Sequence, residues 1–194
     1  MHAPTEVPSE RRQHLVDTAV RLFYADGFHA TGIDKILKEA GVAKMTLYKH
    51  FKTKEELILA ALRRRDELWM NWFIAAVETR ASAPAQRLLA IFDALQDWFD
   101  GRGPNPKFHG CAFINVAAEY ADCDHPIHAV AAEHKRSVSA QILRWTTAAG
   151  AANPELLASQ LLLLSEGAIV LRHVANDHSA AATARRTAEK LLFS

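Results

Sequence analysis

The stretch GVAKMTLYKHFKTKEEL, residues 41–57, concentrates four lysines, a histidine and a tyrosine in a short segment. Side chains of these types bind phosphate oxygens and the polar edges of nucleobases. The same composition also occurs on the solvated face of an ordinary helix pair. The spacing of the apolar residues around it is therefore needed to distinguish the two uses.

That spacing predicts two short helices, over residues 32–40 and 44–51, joined across Gly41. Gly41 suits the left-handed conformation that closes a helix. In the second helix, Leu47 and Phe51 lie four residues apart and are expected to face inward. Two short helices around a tight turn, with a polar and basic second helix, indicate a helix-turn-helix. In that motif the second helix enters the major groove of DNA.

The inward-facing pair leaves the polar side chains of the second helix to face solvent. Lys44 can donate to guanine edges, and Met45 or Thr46 can contact a thymine methyl group. The longer polar side chains suit phosphate oxygens. They are Tyr48, Lys49, His50 and Lys54. Lys54 also falls in the first turn of the next helix, whose free N–H groups favour an anion.

Helical periodicity continues along the chain, and no alternating run of β-branched residues marks a strand. We predict an all-α protein of about nine helices. A three-helix domain with the helix-turn-helix would occupy residues 1–52, and a larger helical body residues 53–194. The predicted helices cover residues 9–25, 32–40, 44–51, 53–80, 84–100, 109–121, 126–149, 154–175 and 180–193. Thr53 with Glu56 reads as a capping box, and Asn153-Pro154 as a helix start.

Composition supports a globular chain with an uneven charge distribution. The 194 residues are 49% hydrophobic and 23% charged, which is unlike a disordered protein. Residues 1–65 hold twelve Lys or Arg against eight Asp or Glu, a net charge of +4. Residues 66–194 hold eleven against fourteen, a net charge of −3. The basic N-terminal part is the favoured nucleic-acid face. Without a signal-peptide pattern in MHAPTEVPSERRQ, a cytoplasmic protein is expected.

The segment FYADGFHATGIDKILKEAGVAKMTLYKHFKTKEELILAAL, residues 23–62, resembles the DNA-binding domain of the tetracycline-repressor (TetR) family of transcriptional regulators. The matching elements are the helix ending LFYADGFHAT, the helix IDKILKEAGV, the segment TLYKHF and the following KEEL. The resemblance implies a homodimeric, ligand-responsive regulator, expected to be a repressor. Its partners would be a palindromic DNA operator and a small-molecule effector.

Position by position, the resemblance makes Lys44, Met45 and Thr46 the base-reading end of the recognition helix. Tyr48, His50 and Lys54 match phosphate-contacting positions of the family. Thr31, at the start of the supporting helix, matches a position that contacts the DNA backbone. Two residues depart from the family pattern: Ala43 stands where a capping serine is frequent, and Gly32 where a threonine or serine is frequent. Weaker capping, by about 1 kcal/mol at most, is the expected consequence.

The segment PELLASQLLLLSEGAIVLRHVA, residues 154–175, is too apolar around its circumference for a helix with one face in water. We predict that this helix and the last one form half of a four-helix interface with a second copy. The alternative is that the helix is the centre of a monomeric core. A two-fold dimer would require a roughly palindromic operator.

An effector site is harder to locate in the sequence. The segment GCAFINVAAEYA, residues 110–121, is apolar except for Asn115 and Glu119, which lie one turn apart. Polar groups on such a helix either line a pocket, face solvent or bond internally. The hypothesis is a ligand pocket bounded by Phe92, Phe99, Phe113, Asn115, Glu119, Trp145, Glu166 and His173.

The rival interpretation is a helical metal-binding or catalytic bundle without specific DNA binding. His125 and His128 lie three residues apart and could share a metal with Glu119 or Asp122. The two cysteines, Cys111 and Cys123, match neither a CxxC pair nor a zinc framework, and are expected to be free thiols. The chain lacks the paired Glu-x-x-His motifs of a di-iron bundle, the GxSxG elbow and the P-loop. We therefore expect no enzyme, no metal and no cofactor.

Overall fold

The computed structural model describes residues 10–193, and those residues form nine helices and no strand. The all-α prediction is confirmed. The helices are α1 (Glu10–Asp26), α2 (Ile33–Ala40), α3 (Lys44–His50), α4 (Lys54–Arg80), α5 (Pro84–Phe99), α6 (Ala112–Glu119), α7 (Pro126–Ala148), α8 (Pro154–Val174) and α9 (Ala180–Phe193). The predicted start of the first helix at Ser9 and the interpretation of the first nine residues lie outside the described part of the chain.

The largest difference from the predicted helices is at α6, which begins at Ala112 rather than at residue 109. Gly110 has φ +79°, and a Cβ atom at this position would lie 2.3 Å from His173 Nδ1. Only glycine allows the backbone to pass the imidazole in this conformation. The loop that starts after α5 therefore continues through Gly110 before helix can form.

The chain divides into two compact units. The first comprises the residues up to Arg65 together with Asn115–Val130, and the second comprises Asp66–Ile114 together with the residues from Ala131 onward. As a result α4, α6 and α7 each have residues in both units. The division of functions predicted at residues 52 and 53 is a separate matter and stays a prediction.

The first unit is built on α1, α2 and α3, which pack against one another. Its apolar side chains are buried at helical spacing, among them Leu15, Phe23, Ile36, Leu47 and Phe51. The turn after α2 is closed by Gly41 in the left-handed conformation, with φ 63° and ψ 31°. The apolar side chains of α3 therefore point into this core, and its polar face is left to solvent.

Of the helices α2, α3 and α4, only α4 begins with a side-chain N-cap bond. Gly32 and Ala43 precede α2 and α3 without a side-chain capping bond, as the departures from the family pattern predict. At α4, Glu56 N donates to Thr53 Oγ1 at 3.1 Å, and Lys52 N donates to Glu56 Oε2 at 2.7 Å. In a standard capping box the Glu56 carboxylate would accept from the N–H of the N-cap residue, Thr53. Here it accepts from the N–H of the preceding residue, Lys52.

In the second unit, α5, α8 and α9 pack together. Asn153 Oδ1 caps α8 by accepting from Leu156 N at 3.0 Å, and Pro154 occupies the first helical turn. The other face of α8 is not covered. It carries a row of exposed apolar side chains: Leu156, Leu163, Val170, Leu171 and Val174.

α8 is also the one helix within residues 10–193 that is long and apolar enough to cross a membrane by length and composition, with a mean hydropathy of 1.4 in its most apolar window. Only 28% of that window is buried. A helix that is apolar all round needs cover on more than one side. Residues 10–193 of a single chain bury this helix only in part.

Candidate nucleic-acid interface

The polar face of α3 is presented to solvent. Met45 is 85% exposed and Tyr48 is 48% exposed. Lys44 and Lys49 are exposed, whereas Thr46 and His50 are half-buried. Leu47, between them, is fully buried and fixes the rotation of the helix about its axis. The α3 side chains predicted to contact bases and phosphates are thus arranged around one outward surface.

A cleft of about 580 Å³ lies at this surface, lined by Met45, Thr46, Lys49, His50 and Arg11. The sequence interpretation missed Arg11, which is exposed in the first turn of α1. The signal available was the pair Arg11-Arg12 at the start of a predicted helix. Since α1 packs against α3, Arg11 adds a cation to the face formed by the recognition helix.

The side chain of Thr31 does not take part in this surface. Thr31 is fully buried, and its hydroxyl donates to the carbonyl oxygen of Gly27 at 2.6 Å. The predicted contact with the DNA backbone is therefore not available to this hydroxyl in the observed conformation. Its contact is internal instead: it ties the start of α2 to the turn that follows α1.

Lys54 lies next to the same turn. Its Nζ donates to the carbonyl oxygen of His29 at 3.0 Å. Burial lowers the pKa of Lys54, and the charge of Glu119 opposes this shift. An ammonium group has three protons to donate, so this bond leaves room for the predicted phosphate contact, which remains a prediction.

Glu119 was predicted to line a ligand pocket, and the structure gives it a different role. Its carboxylate accepts from two backbone N–H groups at the turn after α1, from Phe28 at 2.9 Å and from His29 at 2.5 Å. Gly27 makes room for the carboxylate, because a Cβ atom there would lie 3.3 Å from Oε1. The end of α6 is thereby fastened to the helix-turn-helix within the first unit.

His125 and His128, which could share a metal according to the rival interpretation, make other contacts in the structure. His128 Nδ1 lies 2.8 Å from the carbonyl oxygen of Tyr120, and His125 Nδ1 accepts from Ile127 N at 3.2 Å. His125 also packs on the ring of Tyr120, which stacks on His29. Within residues 10–193, no three His, Cys, Asp or Glu side chains are grouped so as to hold a metal ion.

The remaining residues of the predicted ligand pocket are distributed over several places. Asn115 belongs to the first unit. Phe92 and Trp145 are core residues of the second unit, and the indole of Trp145 donates to Glu78 at 3.2 Å. Phe113 stacks on His134, and Glu166 accepts from Lys135 at 2.6 Å.

Phe99 and His173 do share a cleft in the second unit, with a volume of about 460 Å³. It is bounded by the loop after α5 and the end of α8, with Phe108 between the two predicted residues. Lys107, His109 and Arg172 supply polar groups to its lining. Two of the eight predicted residues therefore meet around this cavity.

The fold and the exposed basic α3 define a helix-turn-helix DNA-binding protein with a helical second unit. Residues 15–61 match the family model for bacterial regulatory proteins of the tetR family, and residues 84–188 match the tetracyclin repressor-like C-terminal domain. The chain belongs to the TetR family of helix-turn-helix transcriptional regulators. The predicted resemblance is confirmed, and it covers both parts of the chain.

Individual relatives agree with this assignment. The regulator SCO4454 of Streptomyces coelicolor has a similar structure, with a TM-score of 0.83, 32% identity and 95% of each chain covered. The Escherichia coli transcriptional regulator YjdC is 25% identical over 94% of this chain and 93% of its own. The activator FasR of Mycolicibacterium smegmatis is 38% identical over 47% of this chain, and the match spans 41% of its length.

Proposed function

We propose that the protein is a homodimeric repressor that binds a palindromic DNA operator and is released from it by a small-molecule effector. The observation that carries the proposal is the exposed face of α3, where Met45 and Tyr48 stand beside Lys44 and Lys49 above the buried Leu47. Binding of DNA, binding of effectors and dimerisation are properties of the family. A cytoplasmic location follows for a protein that must reach the chromosome.

On this proposal, base recognition comes from the N-terminal end of α3. Lys44 donates to guanine edges, and Met45 and Thr46 contact thymine methyl groups. Tyr48, Lys49, His50 and Lys54 contact phosphates, and Arg11 joins them from α1. The phosphate contacts set the affinity and its salt dependence, whereas the base contacts select the sequence.

The dimer is supported by the uncovered face of α8. Leu156, Leu163, Val170 and Val174 recur at intervals of seven, seven and four residues, which places them on one side of the helix. Gly167 lies in the same row, and a Cβ atom there would meet nothing within 4 Å. A second copy packed against this face would remove the apolar side chains from water.

The effector is proposed to act by shifting the dimer between two arrangements. DNA binding requires the two recognition helices at a separation of about 34 to 36 Å or a multiple of it. An effector that binds a different arrangement more tightly lowers the affinity for the operator. The cleft lined by Phe99 and His173 is the proposed effector site.

The test is selection of DNA fragments from the source genome with purified protein at two salt concentrations, with Tyr48→Ala and Tyr48→Phe in parallel. The expected result is enrichment of a palindrome that Tyr48→Ala loses by at least about tenfold in affinity. Tyr48→Phe keeps the ring and removes only the hydroxyl proposed to contact phosphate, so it separates the contribution of that bond from that of the ring. Circular dichroism would verify that both variants remain folded.

Binding that salt abolishes without any shared sequence would contradict the proposal and would identify α3 as a generic basic surface. If Tyr48→Ala enriches the same palindrome equally, the protein binds DNA sequence-specifically, but not through the proposed surface of α3.

A further inference from the structure

The cleft at the end of α8 is lined by more basic than acidic side chains. The described basic residues of its lining are Lys107, His109, Arg172 and His173. The carboxylate in the same lining is that of Asp100. Residues 66–194 as a whole hold eleven Lys or Arg against fourteen Asp or Glu, a net charge of −3. The cleft is therefore a positive site in a part of the chain whose net charge is negative.

The carboxylate of Asp100 is already paired. It accepts from Arg102 Nη2 at 3.0 Å and from Gln96 Nε2 at 3.0 Å. Arg102 also donates to Asp97 Oδ1, from Nε at 2.9 Å and from Nη2 at 2.7 Å. The negative charge of Asp100 is thus balanced by Arg102, which does not line the cleft.

Arg172 has a buried donor without an acceptor. Its Nη1 donates to Asn176 Oδ1, whereas its Nε is buried and makes no hydrogen bond within residues 10–193. Buried polar groups are nearly always paired, and leaving a charged one unpaired is costly. Nε–H and the adjacent Nη2 form one edge of the planar guanidinium, and such an edge matches both oxygens of a carboxylate. A carboxylate bound beside Arg172 would supply the acceptor.

Aromatic rings form another part of the lining. Phe99 is 3% exposed and Phe108 is half-buried, and their ring centroids lie 4.9 Å apart. Phe108 also packs edge-on against Trp98 at 5.0 Å and against His173 at 6.0 Å. Aromatic side chains pair favourably with a further ring in stacked or edge-to-face geometry. The cleft thus combines an apolar wall with its cations.

Both ends of the loop that bounds the cleft are fixed. At its start, Arg102 bridges Asp97 and Asp100. At its end, the backbone of Gly110 passes against the imidazole of His173. A ligand therefore loses little affinity to ordering of the loop. The volume of about 460 Å³ lies within the range of about 300–1,000 Å³ that is usual for small-molecule sites.

We propose that this cleft binds a small aromatic carboxylate. The carboxylate lies on Arg172, with the ammonium group of Lys107 as a second cation, and the ring lies against Phe99 and Phe108. The proposal names the chemical class of the effector, and it rests on the proposed function, which puts the effector in this cleft. A neutral aromatic compound would leave Arg172 Nε unpaired, and a short aliphatic acid would leave the aromatic wall in water.

Helix stability alone explains only part of this arrangement. The last carbonyl groups of a helix carry partial negative charge, and basic residues in the last turn offset it. Arg172 and His173 lie in the last turn of α8, so their charge by itself does not indicate a ligand. The unpaired Nε and the adjoining aromatic wall are not required at a helix end, and a bound aromatic carboxylate accounts for both.

The ligand would lie next to the proposed subunit interface. Leu171 and Val174, which flank Arg172 and His173 in α8, are 51% and 80% exposed. A ligand that binds Arg172 more tightly in one arrangement of the dimer than in another shifts the dimer toward the first. The resulting change in operator affinity is the coupling between the two sites.

The first test measures binding by isothermal titration calorimetry, with 2-naphthoate as the probe. 2-Naphthamide has the same ring without the charge, and acetate has the charge without the ring. We expect 2-naphthoate to bind at least about tenfold more tightly than either, because each of the others lacks one half of the recognised chemistry. Equal binding of 2-naphthamide, equal binding of acetate, or no binding of 2-naphthoate would overturn the proposal.

Three variants assign the binding to the cleft. Arg172→Met should weaken 2-naphthoate at least about tenfold and leave 2-naphthamide unchanged. Lys107→Met, at an exposed loop position, should weaken it about threefold. Arg136→Met removes an exposed arginine of α7 outside the cleft and should bind as the unaltered protein does.

Circular dichroism verifies that the variants are folded. Normal binding of 2-naphthoate by folded Arg172→Met would refute the site. If Arg172→Met does not fold, Lys107→Met decides, and an affinity equal to that of Arg136→Met would refute the site in its place.

The second test measures operator affinity by fluorescence anisotropy with and without saturating 2-naphthoate. We expect the ligand to weaken operator binding at least about fivefold, and to have no effect on Arg172→Met. Unchanged operator affinity with 2-naphthoate bound would refute its role as effector while the binding site and the regulator stand. Failure of the ligand-free protein to bind any palindrome would refute the proposed function, and the calorimetric result would still decide whether the cleft binds aromatic carboxylates.

Discussion

At the scale of single residues, Glu119 is the side chain whose role differs most from its prediction. Its charge satisfies two backbone N–H groups at the turn before α2, and one of them, that of Phe28, belongs to a residue that is 3% exposed. Hydrogen bonds to a charged group contribute more than neutral ones. Glu119 is thus a structural support for the DNA-binding surface and does not require an effector to explain its position.

We expect Glu119→Gln to lower the free energy of unfolding by about 1–2 kcal/mol, because the amide offers one acceptor oxygen and turns an NH₂ group toward the second N–H. Urea denaturation at equal protein concentration measures the change. Glu133→Gln, at an exposed position of α7, is the control and should leave the midpoint unchanged. An unchanged midpoint for Glu119→Gln would show that the two bonds do not stabilise the turn.

At the scale of elements, α3, like α2, begins without a side-chain capping bond. Ala43 already has the extended conformation of an N-cap residue, φ −70° and ψ 149°, but no side-chain acceptor. A serine hydroxyl at this position would offer an acceptor to the N–H groups of the first turn. The seven-residue helix is held mainly by its buried Leu47 instead.

Accordingly, Ala43→Ser should stabilise the protein by about 1 kcal/mol. Thermal unfolding of the DNA-free protein would show this as an increase in Tm. Ala43→Val adds bulk without an acceptor and should not reproduce the increase. An equal increase for both substitutions would mean that the gain comes from packing and not from the cap.

At the scale of the whole molecule, the uncovered face of α8 is the proposed subunit interface. Leu163 is 73% exposed and Val174 is 80% exposed. Leu163→Glu places a charge in the centre of the proposed interface, where its desolvation opposes association. We expect this variant to become monomeric and to lose binding of the palindrome, since one recognition helix then contacts one half-site.

Analytical ultracentrifugation and operator binding measure the two effects. Ala75→Glu introduces the same carboxylate at an exposed position of α4 and should remain dimeric and bind DNA normally. A dimeric Leu163→Glu variant would place the subunit interface elsewhere on the molecule.

The sequence by itself determined the features that depend on neighbouring residues. Helical periodicity predicted the nine helices of residues 10–193, Gly41 predicted the end of α2, and Asn153 predicted the cap of α8. Each of these features depends on residues within about four positions. The outward face of α3 was also predictable, since Leu47 and Phe51 fix which side is buried.

Only the tertiary structure decided which side chains meet across the chain. Glu119 binds a turn 91 residues away, Asp66 orients His134 from 68 residues away, and Lys135 reaches Cys111 across 24 residues. The periodicity of a helix shows which of its faces is buried, but the element that covers this face depends on how all the helices pack. Consequently the polar residues of the second unit could be recognised in the sequence as unusual, but their partners could not be assigned.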